Sequence, residues 1–359
     1  MYLTIANLAP FLISRGLISS SAIIAGDLVV IDSSRRNCNF KVLHGGGLFV
    51  KQIRSLQTDA MLTLRREAAC YELARSDPAL ARLMPRLVAY YPERHVLVVE
   101  LIPEAESLAE YHSRERGFPP RLGQLLGEAL GSYQAGAAGI AGNEAIQALF
   151  TRQLPVVLAL GRGGHQTLGH YGQIGQALST VIQQHPEFQL LLDTLGAEWC
   201  FDSLIHGDMK WDNVLVFPIG AVAPDFRIVD WEMADLGDAA WDVGAVFQSF
   251  LTAWIMSMPI ASGLPPESYV SAAALPLENM RPPLHAFWNA YADSRGYGAT
   301  ERRNQIERCL RFGAARLVWA VVEQRLYAPR LDLAATALLQ VSLNILQNPP
   351  RAVAELLGV

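Results

Sequence analysis

The stretch "LIHGDMKWDNVLV", residues 204–216, sets His206, Asp208, Lys210, Asp212 and Asn213 within eight positions between two apolar runs. Burying so many polar groups is costly unless something binds them. Asp230 closes a second apolar run, "FRIVDW", 22 positions after Asp208. If the two runs lie side by side, Asp208, Asn213 and Asp230 meet at one end of a small hairpin. A carboxylate and an amide oxygen there suit a hard divalent cation such as Mg²⁺, which takes oxygen ligands. Asp208 is then free to receive a proton from an attacking hydroxyl. Taken singly, Asp and Asn often just bond their own turn backbone. It is the spaced set that points to catalysis.

Those side chains need a scaffold. Residues 28–54 hold three β-rich runs, "LVVID", "NFKVL" and "LFVKQIR", split by a polar loop and by Gly45-Gly46-Gly47, the pattern of an antiparallel meander. "AMLTLRREAACYELARS" has helical periodicity and stops at Asp77-Pro78. "RLVAYY" and "HVLVVELI" flank a "PERH" turn and add two strands. From about Leu108 onward the pattern is mostly helical, broken by the short β-like runs between 204 and 231. Apolar residues at 306, 310, 313, 317 and 321 form a helical stripe. The glycine-rich "GRGGHQTLGHYG", 161–172, does not join a strand to a helix and reads as a flexible loop, not a dinucleotide fingerprint. The expected organisation is an N-terminal lobe over 1–102 and a helical C-terminal lobe over 103–359.

Composition narrows the partners. Hydrophobic residues are 51% and charged residues 18%, so the chain is globular. A net charge of −5 without a dense Lys/Arg block argues against nucleic acid and anionic membranes. The four cysteines, Cys38, Cys70, Cys200 and Cys309, form no CxxC pair. They read as free thiols, and a cytoplasmic location is expected. The uncharged segment 243–266 contains Gln248 and Pro259. It reads as a buried helix ending near Met258 followed by a loop, not a membrane span.

"HGDMKWDN", "IVDWE" and "GDAAWDVG" in this order resemble the aminoglycoside phosphotransferase/choline kinase-like family. The resemblance implies an α+β, bilobal protein-kinase-like fold with a five-stranded antiparallel N-lobe carrying one helix and a mostly helical C-lobe. It implies an ATP- and Mg²⁺-dependent phosphotransferase acting on an acceptor hydroxyl. By position, Asp208 matches the catalytic base, and Asn213 and Asp230 match the Mg²⁺ ligands. Lys210 matches a catalytic-loop lysine, and Asp242 matches the buried aspartate that steadies that loop. Lys51 resembles the strand lysine that holds the α- and β-phosphates, and Glu67 the helix glutamate that orients it. "VVELIPEAES", with Glu100 and Ile102, resembles the connector whose backbone bonds adenine. Glu232, from its place two residues after Asp230, is expected to be a neighbouring or metal-linked carboxylate.

One departure is the glycine-free turn "DSSRRNCNF". Ser33, Ser34 and Asn37 side chains, with Arg35 or Arg36, would bond phosphate where other phosphate loops use backbone N–H groups. The acceptor is expected to be a hydroxyl-bearing small molecule. Ser/Thr of a precursor peptide of a peptide natural product is an alternative, as is a pseudokinase serving as a nucleotide-binding scaffold. The arginine-rich "ERRNQIERCLRFGAAR", 301–316, would favour an anionic acceptor if Arg308 and Arg311 border it. Oligomeric state is not legible.

Overall fold

The structure is a computed structural model, and it describes residues 2–34, 37–54, 57–141, 150–219, 223–260, 265, 268–326, 328 and 330–358. The chain divides into two compact units, Met1–Tyr111 with Asp212–Ala234, and His112–Trp211 with Asp235–Val359.

In the first unit, α1 (Ile5–Ser14) and α2 (Ser20–Ile24) precede a five-stranded sheet. Its strands are β1 (Val29–Asp32), β2 (Cys38–Leu43), β3 (Leu48–Gln52), β4 (Leu87–Tyr91) and β5 (Val96–Glu100), in the order β1-β2-β3-β5-β4 with every pair antiparallel. The expected meander is therefore present, and α1 is an addition to it. Alternation sorts the two faces. Phe40, Val42, Val50, Val96 and Val98 pack with Leu8 and Leu12 of α1. The other face carries the rows Asn39–Lys51–Leu97 and Lys41–Phe49–Val99 across β2, β3 and β5.

Two further helices, α3 (Thr58–Ala74) and α4 (Pro78–Leu83), connect β3 to β4. On α3 the buried positions Leu64, Glu67, Ala68, Tyr71 and Ala74 form one helical stripe, so a carboxylate sits in the middle of an apolar face. A short strand β6 (Glu106–Ser107) pairs with β8 (Val214–Ile219), which pairs with β9 (Ala223–Ile228). This hairpin belongs to the first unit.

The second unit is mainly helical. Helix α5 (Leu108–Glu115) leads to α6 (Pro120–Ala141), which lies against a later helix, Leu277–Ser294. The sequence G-x₃-G-x₃-G makes this approach possible. A Cβ on Gly123 or Gly127 would come 2.3 and 2.2 Å from the carbonyl oxygens of Pro283 and Phe287. The segment 161–172 is not the expected open loop. It folds into α7 (Gly164–Gly169) and the start of α8 (Gly172–Gln184), followed by α9 (Pro186–Ala197). Leu160 and Leu168 are buried there, and the His165 ring bonds Ser179 Oγ at 2.8 Å and Gln189 Oε1 at 3.2 Å. Buried leucines and a satisfied histidine outweigh the glycine content.

Strand β7 (Ser203–Ile205) pairs antiparallel with β10 (Asp235–Gly237). Then follow α10 (Ala239–Met256), α11 (Leu277–Ser294), α12 (Ala299–Arg325) and α13 (Leu333–Gln347). Residues 243–256 of the uncharged segment form most of α10, which is buried along most of its length, and the loop after it extends into residues outside the described set. Among the described residues no helix is long and apolar enough to cross a membrane. The four cysteines are free thiols. On α12 the stripe at 306, 310, 313, 317 and 321 is buried.

Candidate active site

Two charged clusters are present, one in each unit. In the first, Lys51 projects from β3 onto the face opposite α1 and is 5% exposed. Its Nζ lies 2.8 Å from Glu67 Oε2, 2.5 Å from Asp230 Oδ1 and 2.9 Å from Glu232 Oε2. Three carboxylates thus share one ammonium. Burial tends to strip the lysine of its proton, but the attraction of Glu67, Asp230 and Glu232 prevails and raises its pKa well above the usual value. Glu67 is the most enclosed of the acids. Burial outweighs the help of Lys51 and pushes its pKa to about 7.

One oxygen from each of Glu67, Asp230 and Glu232 lies within 4.8 Å of the others. An all-oxygen donor set with more negative than positive charge fits a hard divalent cation. Asp230 takes a left-handed backbone, φ +65°, a conformation that costs energy for a non-glycine residue and is tolerated best by Asn and Asp. Asn213 and Asp230 flank the open end of the β8–β9 hairpin, where the Val229 N–H donates to the Asn213 carbonyl at 2.9 Å.

A cavity of about 260 Å³ opens beside Lys51. Phe49, Leu97, Val99, Leu101 and Leu215 give it an apolar part, and Lys51, Glu67, Asn213 and Asp230 a charged part. Glu100 and Ile102 also line it. Ser33 and Ser34 are not among its lining residues. Their hydroxyls turn inward to the Asn39 carbonyl at 3.2 and 3.4 Å, and Ser34 Oγ accepts from the Asn39 N–H at 3.0 Å. Both hydroxyls thus close their own hairpin. Asn39 and Lys41 of β2 line the cavity instead. Arg35 and Arg36 lie outside the described residues.

In the second unit, Asp208 follows β7. Its Oδ2 lies 2.7 Å from Lys210 Nζ, and its Oδ1 accepts from Arg316 Nη2 at 3.2 Å. Burial opposes ionisation here, yet Arg316 and Lys210 override it and hold the carboxyl down at about 2. The preceding residues are pinned by Asp242, which is fully buried in the first turn of α10. It accepts from the His206 N–H at 2.7 Å and the Gly207 N–H at 3.0 Å. His206 is itself buried, and its Nδ1 accepts from the Asp208 N–H at 3.2 Å. Glu323, 4.0 Å from Lys210, accepts from the Trp319 indole at 3.1 Å.

A phosphate-handling enzyme is one way to use a charged cavity beside a lysine and a loop carrying an ionised aspartate. The family model for the phosphotransferase enzyme family matches residues 27–264. That span includes Lys51, Glu67, Asp208, Asn213, Asp230 and Asp242. The chain belongs to this family. No curated protein matches the chain.

Among solved structures, the chain of this phosphotransferase family member is similar to the GDP complex of aminoglycoside 2'-phosphotransferase-IIIa, at 13% identity and TM-score 0.49, covering 97% of this chain and 99% of that one. It is also similar to macrolide 2'-phosphotransferase MphH from Brachybacterium faecium, at 15% identity, TM-score 0.48 and coverage of 94% and 98%. A third is choline kinase LicA from Streptococcus pneumoniae, at 11% identity, TM-score 0.47 and coverage of 93% and 99%.

Sequence reasoning did not single out Arg316, which lies beyond the matched span. A signal was present: Arg316 is the lone charge in "FGAARLVWAVV", 312–322, and a buried arginine in an apolar helix needs a partner. Arg308 and Arg311, which would favour an anionic acceptor if they bordered it, are ion-paired within their own unit. Arg308 donates to Asp238, the N-cap of α10, with Nη1–Oδ1 at 2.7 Å. Arg311 makes a bidentate pair with Glu198 at 2.7 and 2.8 Å. Positions three apart on one helix face meet two acids of their own unit, so their charge is already matched.

Proposed function

We propose that this protein is an ATP- and Mg²⁺-dependent phosphotransferase that moves the γ-phosphoryl group onto a hydroxyl of a small molecule. The observation that carries this reading is the cavity beside Lys51, apolar in one part and charged in the other. A flat base suits the apolar part, with Glu100 and Ile102 at its edge for hydrogen bonding. The phosphates suit the charged part, where the compact ammonium of Lys51 neutralises the α- and β-groups, and Glu67 holds that ammonium in place. Asn213 and Asp230 would hold Mg²⁺, with Glu232 beside them. Bound Mg²⁺ supplies charge neutralisation to the phosphates.

Asp208 takes the acceptor end. Its carboxylate orients the hydroxyl and receives the proton as the new P–O bond forms and the bond to the ADP oxygen breaks. A carboxyl held at about 2 is a weak base. In a loose transition state the nucleophile loses its proton late, so orientation matters more than basicity. Lys210, paired with Asp208 at 2.7 Å, would stabilise charge on the transferring group.

Calorimetry with ATP, with and without Mg²⁺, followed by labelled ATP against a panel of alcohols, sugars, amino alcohols and Ser/Thr peptides, tests the reading. Mg²⁺-dependent binding with label on a small-molecule hydroxyl is the expected result. Label only on peptides would replace the acceptor class. Binding without turnover would leave a nucleotide-binding scaffold, and absence of binding would overturn the reading.

A further inference from the structure

Arg316 lies in the buried middle of α12 and is 2% exposed. Its Nη1 donates to the Gly207 carbonyl at 3.0 Å and its Nη2 to Asp208 Oδ1 at 3.2 Å. Its guanidinium carbon lies 5.2 Å from the centroid of the Trp241 ring, and the Trp241 indole donates to the same Gly207 carbonyl at 3.1 Å. On its other side the Gly207 N–H is taken by Asp242. Gly207 adopts φ +78°, a backbone conformation that favours glycine. Both ends of the residue before Asp208 are therefore fixed, one from α10 and one from α10 and α12 together. Asp208 is met from the buried side at Oδ1 by Arg316, and at Oδ2 by Lys210, whose side chain is 35% exposed.

We propose that Arg316 is a positioning residue for phosphoryl transfer: it clamps the Gly207 carbonyl and Asp208 Oδ1 so that Oδ2 is presented to the acceptor hydroxyl. This rests on the reading of Asp208 as the acceptor-orienting carboxylate. A planar fork bonds two acceptors in a fixed relation, which a lysine ammonium does not reproduce. The cation also opposes protonation of Asp208. The other charged or titratable groups facing that loop are Lys210, His206, Asp242 and, through Lys210, Glu323. None of these residues is itself altered when Arg316 alone is substituted.

The test uses the full chain with Mg-ATP and water as acceptor, following ATP hydrolysis from pH 3 to 9 in the native protein and in Arg316→Met and Arg316→Lys. In Arg316→Met, kcat should fall roughly 100-fold from lost orientation. Its acid limb should move upward by about one pH unit or more as a neighbouring cation is lost, with the KM for ATP within about twofold of native because uniform binding is untouched. Arg316→Lys keeps the charge, so its acid limb stays near the native position while kcat drops about tenfold. Native kcat and an unmoved limb in a folded Arg316→Met would overturn the inference. If that variant does not fold, Arg316→Lys decides, and native kcat there would overturn it equally. Asp208→Asn is the control. Hydrolysis at the native rate in that variant would instead remove the assignment of Asp208 on which the inference rests.

Discussion

The two charged clusters are mirror images in sign. Around Lys51, one buried cation faces three carboxylates. Around Asp208, one enclosed carboxylate faces two cations. Buried charges are tolerated when paired, and each central residue is over-supplied with partners. The consequences differ. The excess acid around Lys51 leaves Glu67 only partly compensated, with its pKa raised to about 7, and favours the arrival of a further cation. The excess base around Asp208 keeps that carboxyl ionised, at about 2. On the proposed function, the first cluster would gather a metal and polyphosphate, and the second would keep an acceptor for protons charged and still.

The largest expected effect comes from removing the charge at the centre of the cation-rich cluster. Asp208→Asn should cut phosphoryl transfer by about 1,000-fold or more while leaving Mg-ATP affinity near native, since only the orienting and proton-accepting carboxylate is lost. Single-turnover measurements with labelled ATP check this, and a native rate would dissolve the distinction between the clusters. Next is Asp230→Asn in the acid-rich cluster. If Asp230 is a metal ligand as proposed, its loss should weaken Mg-ATP binding on the order of 100-fold. The metal-free melting temperature should hold or rise, because Lys51 keeps Glu67 and Glu232. A metal-free protein that melts much earlier would mean that Asp230 is needed chiefly as a structural counter-ion.

A third test separates function from architecture in the second unit. Arg308→Ala strands Asp238, whose side chain is fully buried, and should cost about 3 kcal/mol as an uncompensated buried charge. Arg311→Ala breaks a pair that is partly exposed on both sides and should cost about 1 kcal/mol or less. Neither should change an acceptor KM, and a selective KM increase would restore the acceptor-wall reading of that helix.

A fourth effect is a pH slope. A carboxyl raised from about 4.5 unfolded to about 7 folded binds its proton more tightly in the native state. Its contribution to stability is present below the unfolded value and is lost as pH rises through about 7. Urea denaturation without divalent metal should therefore show stability declining between pH 5 and 7.5, and Glu67→Gln should flatten that decline. An identical slope in the variant would assign it to another group.

Much of the framework was legible in the sequence because it rests on short-range rules. Alternation in "NFKVL" and "LFVKQIR" puts Lys51 on the face opposite Val50, and strand register then sets it between Asn39 and Leu97. Helical spacing puts Glu67 on the stripe with Leu64, Ala68 and Tyr71. The uncharged run of α10 reads as buried for the same reason. Glycine content makes 161–172 read as a loop, whereas burial of Leu160 and Leu168 makes the segment helical. Ser33 and Ser34 were read from residue type alone, and hydroxyls serve a turn as readily as a ligand.

The sequence by itself determined which chemistry the chain carries, since lysine, glutamate, aspartate and asparagine at these spacings are a local record of strand, helix and loop. Tertiary structure decided which charges meet. Glu232 joins Lys51 across 181 positions and Arg316 reaches Asp208 across 108, and no periodicity spans such separations. The same packing paired Arg308 with Asp238 and Arg311 with Glu198. An ion pair depends on where folding brings two side chains and on how much water it removes from them, and neither quantity is written in the order of the residues.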